Sequence, residues 1–351
     1  VSVTTRYQAS RADIERMLEG QPRYRIDQVW RGLYDELSDP ADMTALPKDL
    51  RAVIDERLPR ALELVTEHSA DRGETVKFLW QLDGGSRIET VLMLYPDRAT
   101  VCVSTQAGCA MACGFCATGQ AGFTRHLTAG EIVEQVVRAA QRAKAMGRRV
   151  SNIVYMGMGE PLANEEAVWQ SLERIHDDIG ISARQLTVST VGIVPGIKRL
   201  AARPLPVSLA VSLHAANDDL RDALVPINRR YPIQVLMEAC GEYLDAKGRR
   251  LSFEWALIDG VNDRPSDAIE LASLCRRFRV PAHVNLIPLN PTPGYAVRGS
   301  SRSHVYAFAD QLIELGVNAT VRRNRGTDIA AACGQLAAGQ PVKVSLSNPP
   351  D

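Results

Sequence analysis

The chain has 351 residues, 45% of them hydrophobic and 23% charged, which suits a globular protein with one large α/β domain and a smaller companion. No apolar run approaches the roughly 18 residues of a membrane-spanning helix, and Val1 to Arg11 has no signal-peptide pattern, so the expectation is a cytoplasmic protein with no membrane partner. A formal net charge of zero argues against holding nucleic acid by bulk charge and leaves local basic patches, at 142–149 and 322–325, each read alone as a solvated face.

Residues 1–70 are read as a small helical accessory domain, with Ile26, Val29, Trp30, Leu33 and Tyr34 recurring at helical intervals. The period then changes. Thr75 to Leu82 and Arg87 to Tyr95 alternate around Asp83-Gly84-Gly85, a hairpin signal that assigns 71–94 to a β-hairpin extension. From Ala99 onward, β-branched apolar runs at 99–103, 152–156, 186–191, 207–213, 251–258 and 282–289 alternate with helical patterns, and a further strand is expected over 317–322. The clearest helix starts at Thr128, where Thr-Ala-Gly-Glu131 forms a capping box ahead of Val133, Val136, Val137 and Ala140. Six such units predict an α/β domain over 95–328, with a parallel sheet and helices on its faces. Residues 329–351 are read as a C-terminal loop with a loose tail from 340.

In a parallel α/β sheet, chemistry gathers at the carboxyl ends of the strands. Cys109, Gly157 to Glu160, Ser189, Ser212 to His214 and Asn290 all fall at or just beyond predicted strand ends. Seven cysteines, with four between Cys102 and Cys116, do not read as a disulfide framework but as metal binding or catalysis. Cys240 and Cys275 sit in helical patterns and are read as core thiols. Cys109-Ala-Met-Ala-Cys113-Gly-Phe-Cys116 has a spacing that wraps three corners of an iron–sulfur cube in one loop. Such a cluster normally takes four thiolates, so three leave one iron open. The alternative is a zinc site completed by His126.

Phe115, directly before Cys116, completes a C-x3-C-x-aromatic-C pattern that resembles the signature of the radical S-adenosylmethionine (SAM) superfamily. That resemblance implies a partial (β/α)6 barrel and a [4Fe-4S] cluster on Cys109, Cys113 and Cys116 whose open iron binds SAM. Met156-Gly-Met-Gly-Glu160-Pro161 resembles the superfamily's site for the SAM amino group.

The likeness narrows over residues 24 to 337. Thr105 to Cys109, Gly122 to Arg125, Gly157 to Leu162, Ser212 to Ala215, Val225 to Asn228, Asn285 to Pro288 and Ala332 to Leu336 together resemble the RlmN/Cfr family of radical SAM RNA adenine methyltransferases. The resemblance implies methylation of adenine C2 in 23S rRNA and in tRNA, with two SAM per turnover and an electron donor such as flavodoxin or ferredoxin. It further implies a methyl-carrying Cys333, a resolving Cys102 that forms a transient disulfide with it, and Glu89 as acceptor of the C2 proton. Gly159, Glu160, Ser189, Ser212, Leu213, His214 and Asn290 match SAM-contacting positions, and residues 1–70 match an RNA-binding accessory domain. A monomer is expected. Two alternatives stay open: a Cfr-like enzyme acting at C8, and a non-catalytic zinc-stabilised RNA-binding protein. Glu89 shares a predicted strand face with Val91 and Met93, an apolar setting expected to raise its pKa.

Overall fold

The computed structural model describes residues 4–339 apart from Pro281 and Ala296, so the tail expected from 340 lies outside the described residues. Three short helices come first: α1 (Arg11–Met17), α2 (Tyr24–Tyr34) and α3 (Lys48–Arg57). Three antiparallel strands follow: β1 (Leu62–Ala70), β2 (Thr75–Leu82) and β3 (Arg87–Leu94). Then comes β4 (Ala99–Cys102), which leads into a small hairpin of β5 (Gln106–Gly108) and β6 (Phe123–His126) around α4 (Ala117–Ala121). The remaining core alternates helix and strand: α5 (Ala129–Ala145), β7 (Asn152–Tyr155), α6 (Glu165–Asp177), β8 (Leu186–Thr190), α7 (Val194–Ala202), β9 (Ser208–Ser212), α8 (Asp218–Leu224), α9 (Ile233–Lys247), β10 (Leu251–Leu257), α10 (Pro265–Cys275), β11 (His283–Pro288), α11 (Arg302–Glu314) and β12 (Ala319–Val321).

One sheet in the order β1-β2-β3-β4-β7-β8-β9-β10-β11-β12 carries the molecule. From β4 to β12 every neighbouring pair is parallel, which is the expected α/β architecture. The predicted hairpin is also present, and β3 joins it antiparallel to β4, so the extension continues the main sheet. Strand β1 lies inside the segment expected to be wholly helical. It was illegible because it is an edge strand exposed along nearly its whole length, held by main-chain pairing to β2, with no buried face to impose an apolar alternation.

Helix α5 packs across the join. Thr128 caps it through the expected box with Glu131, a device worth about 1 kcal/mol. Its Gln135 accepts from Thr90 Oγ1 at 2.8 Å and from the Ser104 amide at 2.8 Å, while Trp80 donates to Thr90. A buried polar chain thereby fixes the hairpin against the strand that leads to the cysteines. The N-terminal helices dock on the same layer. Arg174 of α6 donates to the carbonyls of Tyr7, Gln8 and Ala9 and to the Tyr34 hydroxyl. Glu134 accepts from the amides of Ala61 and Leu62. Arg6, fully buried, pairs with Asp39 and Asp55.

The odd-numbered residues of β2 and β3 share one face, since Lys77 pairs with Val91 and Leu79 with Glu89. Cys102 pairs with Val91, which puts it on that face too. The segment 330–338 lies over this face and delivers Cys333 to the end of the barrel.

Candidate active site

A cleft opens at the carboxyl ends of the parallel strands. Cys109, Cys113 and Cys116 line one wall; Glu160, Ser189, Ser212, His214 and Asn290 come from successive strand ends; Cys333 closes the other side. The cysteines sit in a loop bracketed by two tight approaches. The Cys109 amide donates to Gly122 O at 2.9 Å, and the Cys116 amide to Cys113 O at 3.1 Å. Phe115 stands edge-on to the His214 ring, centroids 4.8 Å apart at 71°.

The thiols suit a cluster. Burial pushes Cys109 up to about 12, and burial together with the neighbouring thiolates raises Cys113 well above the ordinary value. Such sulfurs ionise only beside strong positive charge, which iron supplies. Among the described residues no three His, Cys, Asp or Glu side chains converge on a single-ion site. The three thiols share a cavity wall instead, as thiolates do when each binds its own iron. The proposed fourth zinc ligand, His126, stands outside the cleft, its Nδ1 3.1 Å from Gln106 Nε2.

Glu160 follows β7 where glycines let two loops close together. A Cβ on Gly157 would stand 2.6 Å from Val103 O, and Gly159 takes φ +100° against Gln106. The carboxylate is buried, accepts from the amides of Leu162 at 3.0 Å and Val191 at 2.8 Å, and is pushed up to about 7 by desolvation. That environment suits a carboxylate waiting for a cation. His214 takes φ +60°, and its Nδ1 accepts from the Ala256 amide at 2.9 Å. Burial, helped by Arg221, lowers it to about 3, so the ring is neutral and keeps its proton on Nε2.

The remaining expected residues fall in three places. Ser189 and Ser212 reach the cleft at the ends of β8 and β9. Leu213 does not line it: it is fully buried in the core between Ser212 and His214. Asn290 lines the cleft, but its amide already donates to Cys333 O at 3.0 Å. Cys102 is buried beneath the cleft, not in its lining. Burial pushes its thiol up to about 12, and the nearby Cys333 adds to this. Cys333 is exposed by surface area although protein atoms crowd its sulfur. Exposure decides whether it can meet a substrate; the crowding, opposed by Arg322, raises its pKa.

Glu89 departs from expectation. It is buried outside the cleft lining, and its surroundings are polar: Lys77 Nζ lies 2.8 Å from Oε1, and the amides of Ala337 and Ala338 donate to Oε2 at 2.9 and 3.0 Å. The basic patch at 322–325 is likewise no solvated face. Arg322 faces Glu254 at 3.5 Å, and Arg325 donates to Leu94 O. Cys240 and Cys275 are core thiols as read.

Three residues escaped sequence reasoning. Arg221, fully buried, donates to the carbonyls of Val191, Ser212 and Leu213 and to Asn228 Oδ1, tying the ends of β8 and β9 together. Gln106 accepts from the Glu160 amide at 2.8 Å. Glu254 enters the cleft from β10, held by Asn285 at 2.7 Å. The available signals were Gln106 within Thr105 to Cys109 and Asn228 within Val225 to Asn228, since a buried amide needs a partner.

Residues 103–272 match the radical SAM superfamily. A Roseiflexus castenholzii protein named "Probable dual-specificity RNA methyltransferase RlmN" is 49% identical, the match covering 95% of this chain and 96% of that one. A protein of the same name from Parafrankia sp. is 52% identical over 92% of this chain and 88% of its own. The crystal structure of a radical SAM methyltransferase from Sphaerobacter thermophilus superposes with a TM-score of 0.91 at 52% identity, covering 95% of this chain and 99% of that one. With cleft, cysteine loop and near full-length likeness in agreement, the chain belongs to the RlmN family of the radical SAM superfamily.

Proposed function

We propose that the chain methylates C2 of adenine in 23S rRNA and in tRNA, using SAM and a [4Fe-4S] cluster on Cys109, Cys113 and Cys116. One observation carries the reading: a fourth, exposed cysteine, Cys333, lines the same cleft as the three clustered thiols and lies beside a fifth, Cys102. Adenine C2 lies between two ring nitrogens and is too electron-poor to attack the methyl of SAM, so a carbon radical must be delivered to it. The names of the relatives agree with an RNA substrate.

When bound, the cluster supplies the electron that splits SAM into methionine and a carbon radical. Glu160 takes the ammonium of SAM, and His214 offers Nε2–H to the cleft. Cys333 would take a methyl from one SAM, lose a hydrogen atom from that methyl to the radical made from a second, and add the resulting methylene radical to C2; the adduct radical would return one electron to the cluster. Glu89 receives the C2 proton. Cys102 would attack the sulfur of Cys333 as a thiolate and break the sulfur–methylene bond; the released methylene carbon takes a proton to become the methyl group, and a disulfide is left for an external reductant. Both thiols have raised pKa values, and the nearby Arg322 cation favours the thiolate this exchange needs. The N-terminal helices and local basic surface bind RNA, and an electron donor such as a flavodoxin reduces the cluster.

The test is nucleoside mass spectrometry of a 23S rRNA fragment and of tRNA after incubation with reconstituted enzyme, SAM and a reductant. 2-Methyladenosine is expected; 8-methyladenosine, or no methylated adenine, contradicts the reading.

A further inference from the structure

The segment that carries Cys333 is gripped at both ends by one buried ion pair. Lys77 Nζ donates to Ala330 O at 3.3 Å, upstream of Cys333. Glu89 Oε2 accepts from the amides of Ala337 and Ala338, downstream of it. Lys77 and Glu89 lie 2.8 Å apart, diagonal across β2 and β3 on the face the segment covers. Both are buried. Between these grips the fastenings among the described residues are uncharged: Asn290 donates to Cys333 O, the Ala117 amide to Gly334 O, Thr118 to Leu336 O, and the Gln335 side chain to Pro291 O. The hairpin therefore contributes the one charged fastening.

A lysine buried here needs a reason, because an ammonium held in a sheet face is costly unless paired. Pairing with Glu89 offsets that cost, and a second of its three N–H donors goes to the segment. The carboxylate is equally committed. One oxygen faces the ammonium and the other takes two amide hydrogens, so both lone pairs of Oε2 are engaged by the segment.

We propose that Lys77 is a positioning residue that latches the Cys333 segment through Glu89, and that Oε2 of Glu89 becomes free to accept a proton only when Ala337 and Ala338 leave it. Undocking of the carrier segment and exposure of the base are then one event. The meaning of this for turnover rests on the proposed methyl transfer, whereas the latch itself does not.

The experiment is hydrogen–deuterium exchange of the cluster-loaded enzyme without RNA, read at the amides of Ala337 and Ala338. Lys77→Met should speed their exchange about tenfold, the scale of one charge-assisted contact, and speed alkylation of Cys333 by iodoacetamide. Lys77→Arg should restore both, which a loss of packing alone would not do. Exchange in Lys77→Met equal to wild type overturns the latch, as does exchange raised equally throughout the sheet. Should Lys77→Met fail to fold, Glu89→Gln decides: faster exchange confined to 330–338 supports the latch and unchanged exchange overturns it. A latch seen in an enzyme that leaves RNA unmethylated would refute the function and keep the inference; methylation with no change in exchange would do the reverse.

Discussion

Asn290 donates its side-chain amide to the carbonyl oxygen of Cys333 at 3.0 Å, while Asn324 donates to Asn290 Oδ1 at 2.6 Å. A residue just beyond β11 thus orients the exposed cysteine across the cleft from Cys109, Cys113 and Cys116. Replacing the donor by an acceptor sets two oxygens against each other. Asn290→Asp should therefore lower methyl transfer to Cys333 at least about tenfold, while SAM cleavage continues. Mass measurement of the Cys333 peptide after incubation with SAM reads the first quantity, and release of 5′-deoxyadenosine the second. Equal loss of both would move Asn290 from the carrier to the cofactor.

Much of this site was legible in the sequence because it depends on local pattern. Cysteine spacing, the Thr128 cap and apolar strand runs are short-range signals, and they placed the rim correctly. The parts that escaped depend on distant contacts. Lys77 meets Ala330, and Arg221 bridges two strand ends, by side-chain reach that no periodicity encodes. β5 and β6 pair antiparallel around α4 but are too short to show an alternation. Glu89 was read by its strand neighbours; its actual environment comes from the next strand and the far end of the chain.

The cysteine loop predicts a metal content. Anaerobically reconstituted protein should hold about four irons per chain and be brown. Cys109→Ala, Cys113→Ala or Cys116→Ala should remove the colour and SAM cleavage together. Stoichiometric zinc in place of iron would reject the cluster.

Glu160 predicts the pH dependence of SAM binding. Its folded pKa is raised to about 7 by burial, so the carboxylate is mostly protonated at pH 6 and mostly ionised at pH 7.5. Only the ionised form attracts an ammonium, so affinity should rise roughly fivefold to tenfold over that interval. Isothermal calorimetry on Glu160→Gln should show weaker binding with a flat profile. A wild-type affinity that falls with pH over this interval would contradict the assignment.

His214 predicts a pH dependence of stability. Its folded pKa of about 3 lies below the unfolded value of 6.5, so between these limits the unfolded chain binds the extra proton. This contribution is complete above pH 6.5 and is lost as pH falls, by about 1.4 kcal/mol per unit. His214→Asn keeps an acceptor, tolerates the positive φ and cannot titrate. Denaturant unfolding at pH 7.5 and 5.5 should therefore cost wild type more than the variant. Parallel losses would show that His214 does not hold its depressed pKa.

Two sulfurs on distant parts of the chain carry the central claim, and their variants should fail in different ways. Neither Cys102 nor Cys333 belongs to the cysteine loop, so both variants should keep the cluster. Cys333→Ala has no sulfur to carry the methyl and should never bond to RNA. Cys102→Ala should still attach Cys333 to adenine through a methylene, but it lacks the thiol that breaks the link. The measurement is a denaturing gel of each variant after incubation with SAM, reductant and RNA. The account predicts a protein–RNA band for Cys102→Ala that disappears in the double variant with Cys333→Ala. Normal turnover by Cys102→Ala with no trapped band would contradict it.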